Sequence, residues 1–434
     1  MQKNKRLERI ISNHSNIRQR FPMLEKDLFG NKRTYLNCGA GTITVDTAVK
    51  AIEDAARTSH PMPGEAYPAE IATKDLHWEV RSITADFINA DSPDEISFHL
   101  STTNALFNLA FSFQKHISKK QNLIVTDLDH MANVSPWERI FGNGIDCEIR
   151  RARIDKEYRL DIDHLLSLVN ENTGIIALTM AANAFGSIVP LKKIIAAVRE
   201  KSPDCVVCVD AVHHALHGPI NVQDIDCDFL ALSGYKIFGP MLGILWGKKK
   251  WMDKLSPYRV ETAKDISPNK FEQGMLNNAV LAAFKAALEY LLWLEKEVID
   301  PQPKLNLDRR ACFSKVMQTV EEYGTLLTRR ILQGIQRLDP SRIRFFGITD
   351  LEKIKERDPT FSFEIEGISA AEAKNQLWIE SGIQIADGNH YSAAVYRVLK
   401  RPSLCRASFC HYDTLETADI FLNAVDKLIN KQKK

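Results

Sequence analysis

Apolar runs alternate with amphipathic stretches through the middle of the chain. The runs Glu95–Leu100, Asn122–Val125, Gly174–Met180, Cys205–Asp210, Asp228–Leu232 and Gly243–Gly247 are short and mostly apolar. Between several of them apolar positions recur at helical spacing, in Thr103–His116, Ile162–Val169 and Leu191–Arg199. Strands without a polar face, separated by helices, predict a mostly parallel sheet covered on both sides. Asn278–Lys296 predicts a long amphipathic helix with Leu281, Phe284, Leu288, Leu291 and Leu292 on one side. A charged, proline-containing stretch, Glu297–Leu305, follows, and a second long helix, about Arg309–Leu338, leads away from the sheet. The order then changes, with strands at Ile343–Phe346, Thr360–Ile365 and Cys405–Phe409 and helices at Ala370–Glu380 and Leu415–Ile429. The expected organisation is α/β. A large domain (44–298) carries the sheet, a smaller α+β domain (299–434) follows, and an N-terminal helical segment (1–43) packs with the small domain.

A chain of 434 residues is too long for one small core. Its 44% hydrophobic and 26% charged residues match a globular protein in water. Lys and Arg number 57 and Asp and Glu 55, a net charge of +2, which gives no general pull towards nucleic acid or an anionic membrane. Met1–Arg20 is basic but lacks the continuous apolar core of a signal peptide, and Glu8 and the shortage of serine argue against a transit peptide. The best membrane-span candidate, Val280–Leu294, is interrupted by Lys285 and Glu289. The expectation is a cytoplasmic protein without membrane or nucleic-acid partners. Eight cysteines follow no framework spacing. Cys205 and Cys208 form a CxxC on a predicted strand, where residues three apart face opposite sides, so buried reduced thiols are expected.

In a doubly wound sheet, ligands bind beyond the carboxyl ends of the strands, so the polar residues there carry the candidate chemistry. Lys236, in Leu232-Ser-Gly-Tyr-Lys236, follows an apolar strand, where a lysine has a lowered pKa and forms imines readily. Asp210 ends another strand; paired with a pyridine nitrogen it keeps the ring protonated, although alone it would read as a helix cap. Ser101-Thr102-Thr103 follows a strand and opens a helix, an anion site, with Ser233 as a further hydroxyl. His130 is placed to lie flat on a cofactor ring, and Asn183, in Ala181-Ala-Asn-Ala-Phe-Gly186, to donate to a phenolic oxygen. His213-His214-x-x-His217 invites a metal reading, but no carboxylate or cysteine completes a familiar motif, so no metal is expected.

Together these residues resemble the class V aminotransferases, the cysteine desulfurase-like family of fold type I pyridoxal phosphate enzymes. Tyr35-Leu-Asn37-Cys-Gly-Ala-Gly-Thr42 resembles the family's first strand and small-residue turn. Ser101-Thr-Thr-Asn-Ala105 resembles its phosphate loop, Gly-Thr-Thr-Glu, and Asp129-His-Met-Ala-Asn133 its Glu-His-His-Ala-Asn, whose first histidine stacks on the ring. Asn183 matches the Asn of Ser-Asn-x-x-Gly, Asp210-Ala-Val-His213 resembles Asp-x-x-Gln, and Ser233-Gly-Tyr-Lys236 resembles Ser-x-His-Lys. Phe271-Glu-Gln-Gly274 resembles Phe-Glu-x-Gly-Thr, and Arg406-Ala-Ser-Phe409 resembles Arg-x-Ser. The resemblance implies a mostly parallel seven-stranded sheet sandwiched by helices and a homodimer. It also implies pyridoxal 5'-phosphate held as a Schiff base on Lys236, with Thr102, Thr103, His130, Asn183, Asp210, His213, Ser233 and Tyr235 around it. An amino acid substrate would meet Arg406, Asn37 and Tyr391, with Lys236, Asp210 and His130 carrying the chemistry.

The departures bear on the reaction. The desulfurases carry a cysteine nucleophile on a mobile loop fifteen positions before the carboxylate-binding arginine; here that position is Tyr391. His213 stands for a glutamine that touches the cofactor's phenolic oxygen, Tyr235 for a phosphate-binding histidine, and Met275 for a threonine that reaches the neighbouring subunit's phosphate. These changes imply C–S lyase-type elimination without an enzyme persulfide. Transamination and epimerisation share the same carbanion, and a non-catalytic dimeric scaffold is the competing class.

Overall fold

The structure, a computed structural model, describes residues 2–58, 62–118, 121–142, 147–301 and 308–431. A short strand, β1 (Thr34–Tyr35), precedes the main sheet. That sheet contains β2 (Ile96–His99), β3 (Asn122–Thr126), β4 (Glu148–Ala152), β5 (Thr173–Thr179), β6 (Val206–Asp210), β7 (Phe229–Ser233) and β8 (Gly243–Gly247). Five strands follow: β9 (Ile343–Phe346), β10 (Thr360–Ile365), β11 (Ile383–Gln384), β12 (Ala386–Gly388) and β13 (Leu404–Ser408).

The main sheet has the order β2-β8-β7-β6-β5-β3-β4, and β8 alone runs antiparallel to its neighbours. Its strands are apolar throughout because both faces are covered. Ile176, Leu178, Val207, Val209, Leu230 and Leu232 enter one core, and the alternating Ile175, Ala177, Val206, Cys208, Phe229 and Ala231 enter the other. Cys205 and Cys208 belong to these two different cores, and all eight cysteines are free and buried. The expected strands all form, with ends shifted by a residue or two. β4 is an addition: its half-exposed Glu148-Ile-Arg-Arg-Ala152 lacks the continuous apolar run that marks the central strands.

A second, antiparallel sheet has the order β12-β13-β10-β9. The long helix Asn278–Trp293 continues as a wider π turn, Leu294–Ile299, and the helix Arg309–Ile335 leads towards the second sheet. Residues 302–305 of the proline-containing stretch lie outside the described residues. The N-terminal segment forms helices Gln2–Ser12 and His14–Gln19. Arg6 grips Glu295, Arg18 donates to the Tyr412 carbonyl, and β1 pairs in parallel with β11. This segment therefore touches both the long helices and the second sheet's surroundings. No helix among the described residues is long and apolar enough to cross a membrane.

Candidate active site

The carboxyl ends of β2, β3, β5, β6 and β7 open onto one cavity of about 490 Å³, closed on the other side by residues 386–391 and by Arg406. It is lined by Thr102, Thr103, His130, Asn183, Asp210, His213, Ser233, Tyr235, Lys236, Tyr391 and Arg406, so expected residues from well-separated stretches of the chain meet there. Asn37 does not line it. Asn37 borders an adjoining cavity with Arg33 and Trp378, while Gly39 and Ala40 of the same turn reach the main one. A side chain at position 39 would stand 3.2 Å from the Arg406 guanidinium carbon, so glycine lets the two approach. The Gly39 carbonyl accepts a hydrogen bond from Lys236 Nζ.

The helix Thr102–Ser112 presents its amino end to the cavity. Ser101 Oγ caps it by accepting from Asn104 N at 3.1 Å, and Thr102 Oγ1 donates to the Leu232 carbonyl at 2.6 Å. Two of the three hydroxyls thus shape the loop, and the helix end with Thr103 remains for an anion. Gly243 makes this geometry possible, since any side chain there would run into the backbone of Ser101 and Thr102.

Burial sets the charges. Lys236 is pushed down to about 7, chiefly by burial and then by the Arg406 cation, so much of it is free amine near neutrality. Asp210 is pushed up to about 6 by burial, and its carboxylate accepts from Val212 N at 2.9 Å. A cation beside it would be stabilised. His130 is lowered to about 4 by burial, then by Lys236 and Arg406; its Nδ1 accepts from Ala132 N at 3.1 Å, so the neutral ring carries its proton on Nε2. Arg406 is 3% exposed, and no carboxylate among the described residues pairs with it. One of its nitrogens donates to the Asn183 carbonyl at 2.9 Å. A buried guanidinium without an acid is costly and calls for an anionic ligand.

Asn183 makes contacts beyond the one expected of it. Its Nδ2 donates to the His390 carbonyl at 2.7 Å, and its Oδ1 accepts from Ser392 Oγ at 2.6 Å. The amide therefore holds segment 386–392 across the cavity. Met131 N adds a bond to the Tyr391 carbonyl at 2.8 Å, and the Tyr391 and His130 rings stack with centroids 5.5 Å apart. His390 and Tyr391 sit at φ +49° and +57°, a left-handed pair without glycine that these contacts must hold in place.

The family model for aminotransferase class-V matches residues 34–304 and 311–421. The chain belongs to that family. Curated cysteine desulfurases from Yersinia pseudotuberculosis and Pectobacterium atrosepticum are 27% and 28% identical, each covering 95% of this chain, with 98% and 97% of their own length matched. A crystal structure of a cysteine desulfurase from Escherichia coli covers 96% of this chain and 98% of its own at TM-score 0.79 and 23% identity. An apo cysteine desulfurase structure from Thermococcus onnurineus covers 96% of this chain and 98% of its own at TM-score 0.81 and 21% identity. The fold is thus the mixed α/β fold of these structures, and the class-V chain is a pyridoxal phosphate-dependent enzyme acting on an amino acid.

The residues present fit pyridoxal phosphate. Asp210 waits for a ring N–H, and His213 Nδ1 is buried with no partner among the described residues. Lys236 brings an amine to the cavity, and the helix end at Thr102–Thr103 accepts a phosphate. The motif residue Glu272 serves the structure instead. Arg81 grips it bidentately at 2.7 and 2.8 Å, which anchors the Phe271–Gly274 segment. Three features were not legible in the sequence. Ser392 is distant in sequence from Asn183 and has no motif. Thr360, expected only as a strand residue, bonds His213. Asp358 joins His213 and His217 to give donors within 4.8 Å of one another, a carboxylate from a distant part of the chain; its oxygens lie 3.1 and 3.2 Å from His214 Nδ1.

Proposed function

We propose that this class-V enzyme takes a sulfur-bearing α-amino acid by its carboxylate and eliminates the sulfur group from Cβ, storing no sulfur on the protein. The observation that carries this reading is the tip of segment 386–392. Tyr391, not a thiol, stands over His130, and none of the described residues lining the cavity is a cysteine. Burial holds Cys405 up at about 12 and raises Cys410 well above the usual thiol range, which makes both poor nucleophiles. The relatives' name, cysteine desulfurase, supports a sulfur amino acid as substrate.

In this reading Arg406 binds the substrate carboxylate and fixes the amino acid against the cavity floor. Pyridoxal phosphate, when bound, supplies an electron sink for the pair left at Cα. Lys236 removes the Cα proton as a free amine. Asp210 keeps its negative charge at the ring nitrogen, His130 packs its neutral ring over the site, and Tyr391 closes the mouth to water. The thiolate leaves with the Cβ–S electron pair, and the aminoacrylate released is hydrolysed to ketoacid and ammonia. Incubation with cysteine should yield sulfide and pyruvate in equal amounts, and mass spectrometry should find no persulfide on any cysteine. A protein persulfide formed at a catalytically competent rate would overturn the proposal. Racemised substrate, or the amine form of the cofactor accumulating, would replace it by epimerisation or half-transamination, and a colourless protein would favour a scaffold.

The same reading includes a homodimer in the cytoplasm. Leu100 and Met241 are 86% and 81% exposed beside the cavity's phosphate end, and Met275 is 59% exposed in the anchored 271–278 region. A second copy covering them would bury large apolar side chains. A monomer mass in solution with full activity would contradict the dimer.

A further inference from the structure

His213 replaces an amide with a ring whose two nitrogens can exchange roles, so something must decide which one carries the proton. Its Nε2 lies 3.1 Å from Thr360 Oγ1. Thr360 opens β10 of the second sheet and is fully buried. A buried hydroxyl proton needs an acceptor, and among the described residues Thr360 Oγ1 finds its partner in His213 Nε2. Thr360 therefore donates, Nε2 offers its lone pair, and the ring proton sits on Nδ1. That nitrogen is buried and unpartnered, on a residue that lines the cavity. Burial and the nearby His217, Lys236 and Arg406 hold His213 well below the usual histidine range, so the ring stays neutral and has one proton to place.

The support behind Thr360 is rigid. Asp358 N donates to the Gly186 carbonyl at 2.8 Å, and Arg357 donates to the Phe185 carbonyl at 3.2 Å, which ties the start of β10 to the turn after β5. His217 packs against His213 with centroids 5.2 Å apart, and His214 holds Asp358. The Thr360 hydroxyl is thus held in place, and a turned-over His213 ring would lose its bond to it.

We propose that Thr360 is a positioning residue that fixes the tautomer of His213, so that Nδ1–H is donated to the phenolic oxygen of pyridoxal phosphate. The proposal rests on the Lys236 reading of the site. Through this contact the second sheet tunes the cofactor. A donor on the phenolic oxygen competes with the protonated imine nitrogen for that oxygen's charge, so losing the donor raises the imine pKa.

The test uses holoenzyme and the pH midpoint of its visible imine band. Thr360→Val, which keeps the shape and removes the hydroxyl, should raise the midpoint by about one pH unit. Thr360→Ser should restore it, and Thr360→Ala serves if the valine variant does not fold. In a His213→Gln background the Thr360→Val shift should vanish, because an amide has no tautomer to set. An unchanged midpoint in folded Thr360→Val, or a shift that persists in the His213→Gln background, would overturn the proposal. A wild-type protein with no imine band at all would instead sink the Lys236 reading, a failure seen before any variant is made.

Discussion

The cavity has two walls held by different means. Along the carboxyl edge of the main sheet, Thr102, Asp210, Ser233 and Lys236 are each 3–7% exposed and sit at the ends of buried strands or the start of a helix. Opposite them, segment 386–392 begins as a three-residue edge strand and turns through the left-handed pair His390 and Tyr391, the second of which is 74% exposed. Strands packed on both faces place side chains to within fractions of an ångström, whereas a loop is placed only by the bonds it makes. Here those bonds come from Asn183, Ser392 and Met131. The wall at the sheet edge is therefore the rigid one, and Tyr391 stands on the wall that is easiest to rebuild.

If that division is right, damage to the rigid wall should cost the most. Lys236→Ala should abolish the imine band and lower turnover by at least about 10³-fold, with the far-ultraviolet spectrum unchanged. Retention of the band, or of a borohydride-trappable adduct elsewhere, would break the assignment. Next comes Arg406, which faces that wall from β13: in the proposed reading its guanidinium meets the substrate and not the cofactor, so Arg406→Ala should lower kcat/KM for amino acids by roughly 10²–10³-fold while leaving cofactor loading intact. Equal loss of cofactor affinity would move Arg406 to the other role.

A smaller effect follows from the depressed Lys236. Cofactor uptake by the cofactor-free protein needs the free amine, whose fraction rises with pH until it passes about 7. The uptake rate should therefore climb about tenfold per pH unit below 7 and level off above it, where an ordinary lysine would keep climbing to about 10. The break should move up in Arg406→Ala, since the lost cation is the second cause of the shift after burial. Stopped-flow absorbance across pH from about 5 to about 10 reads both. A rate still climbing at about pH 9 would show that Lys236 is an ordinary solvated amine.

The rigid wall was also the legible one. Buried strands announce themselves as continuous apolar runs, and the residue after each run must face the cavity, so Asp210, Ser233 and Lys236 could be placed from pattern and position alone. The half-exposed β4 carries no such run, so the apolar pattern does not mark it. Around the loop, sequence order shows less. Asn183 lines the cavity, and its amide also bonds His390 and Ser392, more than 200 positions away in the chain. Asn37, two residues from a cavity-lining glycine, falls in the neighbouring cavity. Local pattern cannot show either, because both depend on how the second sheet docks against the first. Thr360 and Asp358 belong to the same class: they reach His213 and His214 only through that docking.

The smallest expected effect is the sharpest probe of the difference between the walls. Ser392 Oγ donates to Asn183 Oδ1 at 2.6 Å, and both residues are shielded from water. Ser392→Ala removes the donor and leaves a buried amide oxygen unpaired, which costs about 1–2 kcal/mol. The rigid wall does not depend on this bond, so cofactor binding and the imine band should stay as in wild type. The loop does depend on it. The Met131 amide, which donates to the Tyr391 carbonyl, then reports loop opening. Its hydrogen exchange should accelerate roughly tenfold in the variant, with the amides of β6 unchanged. Turnover with cysteine should fall a few-fold, as water reaches the site more often and the substrate is less well enclosed. Should Met131 exchange at the wild-type rate while turnover falls, Ser392 would act on the chemistry directly. The loop would then be no more than a neighbour of the site, and the contrast between a fixed wall and a latched one would not hold.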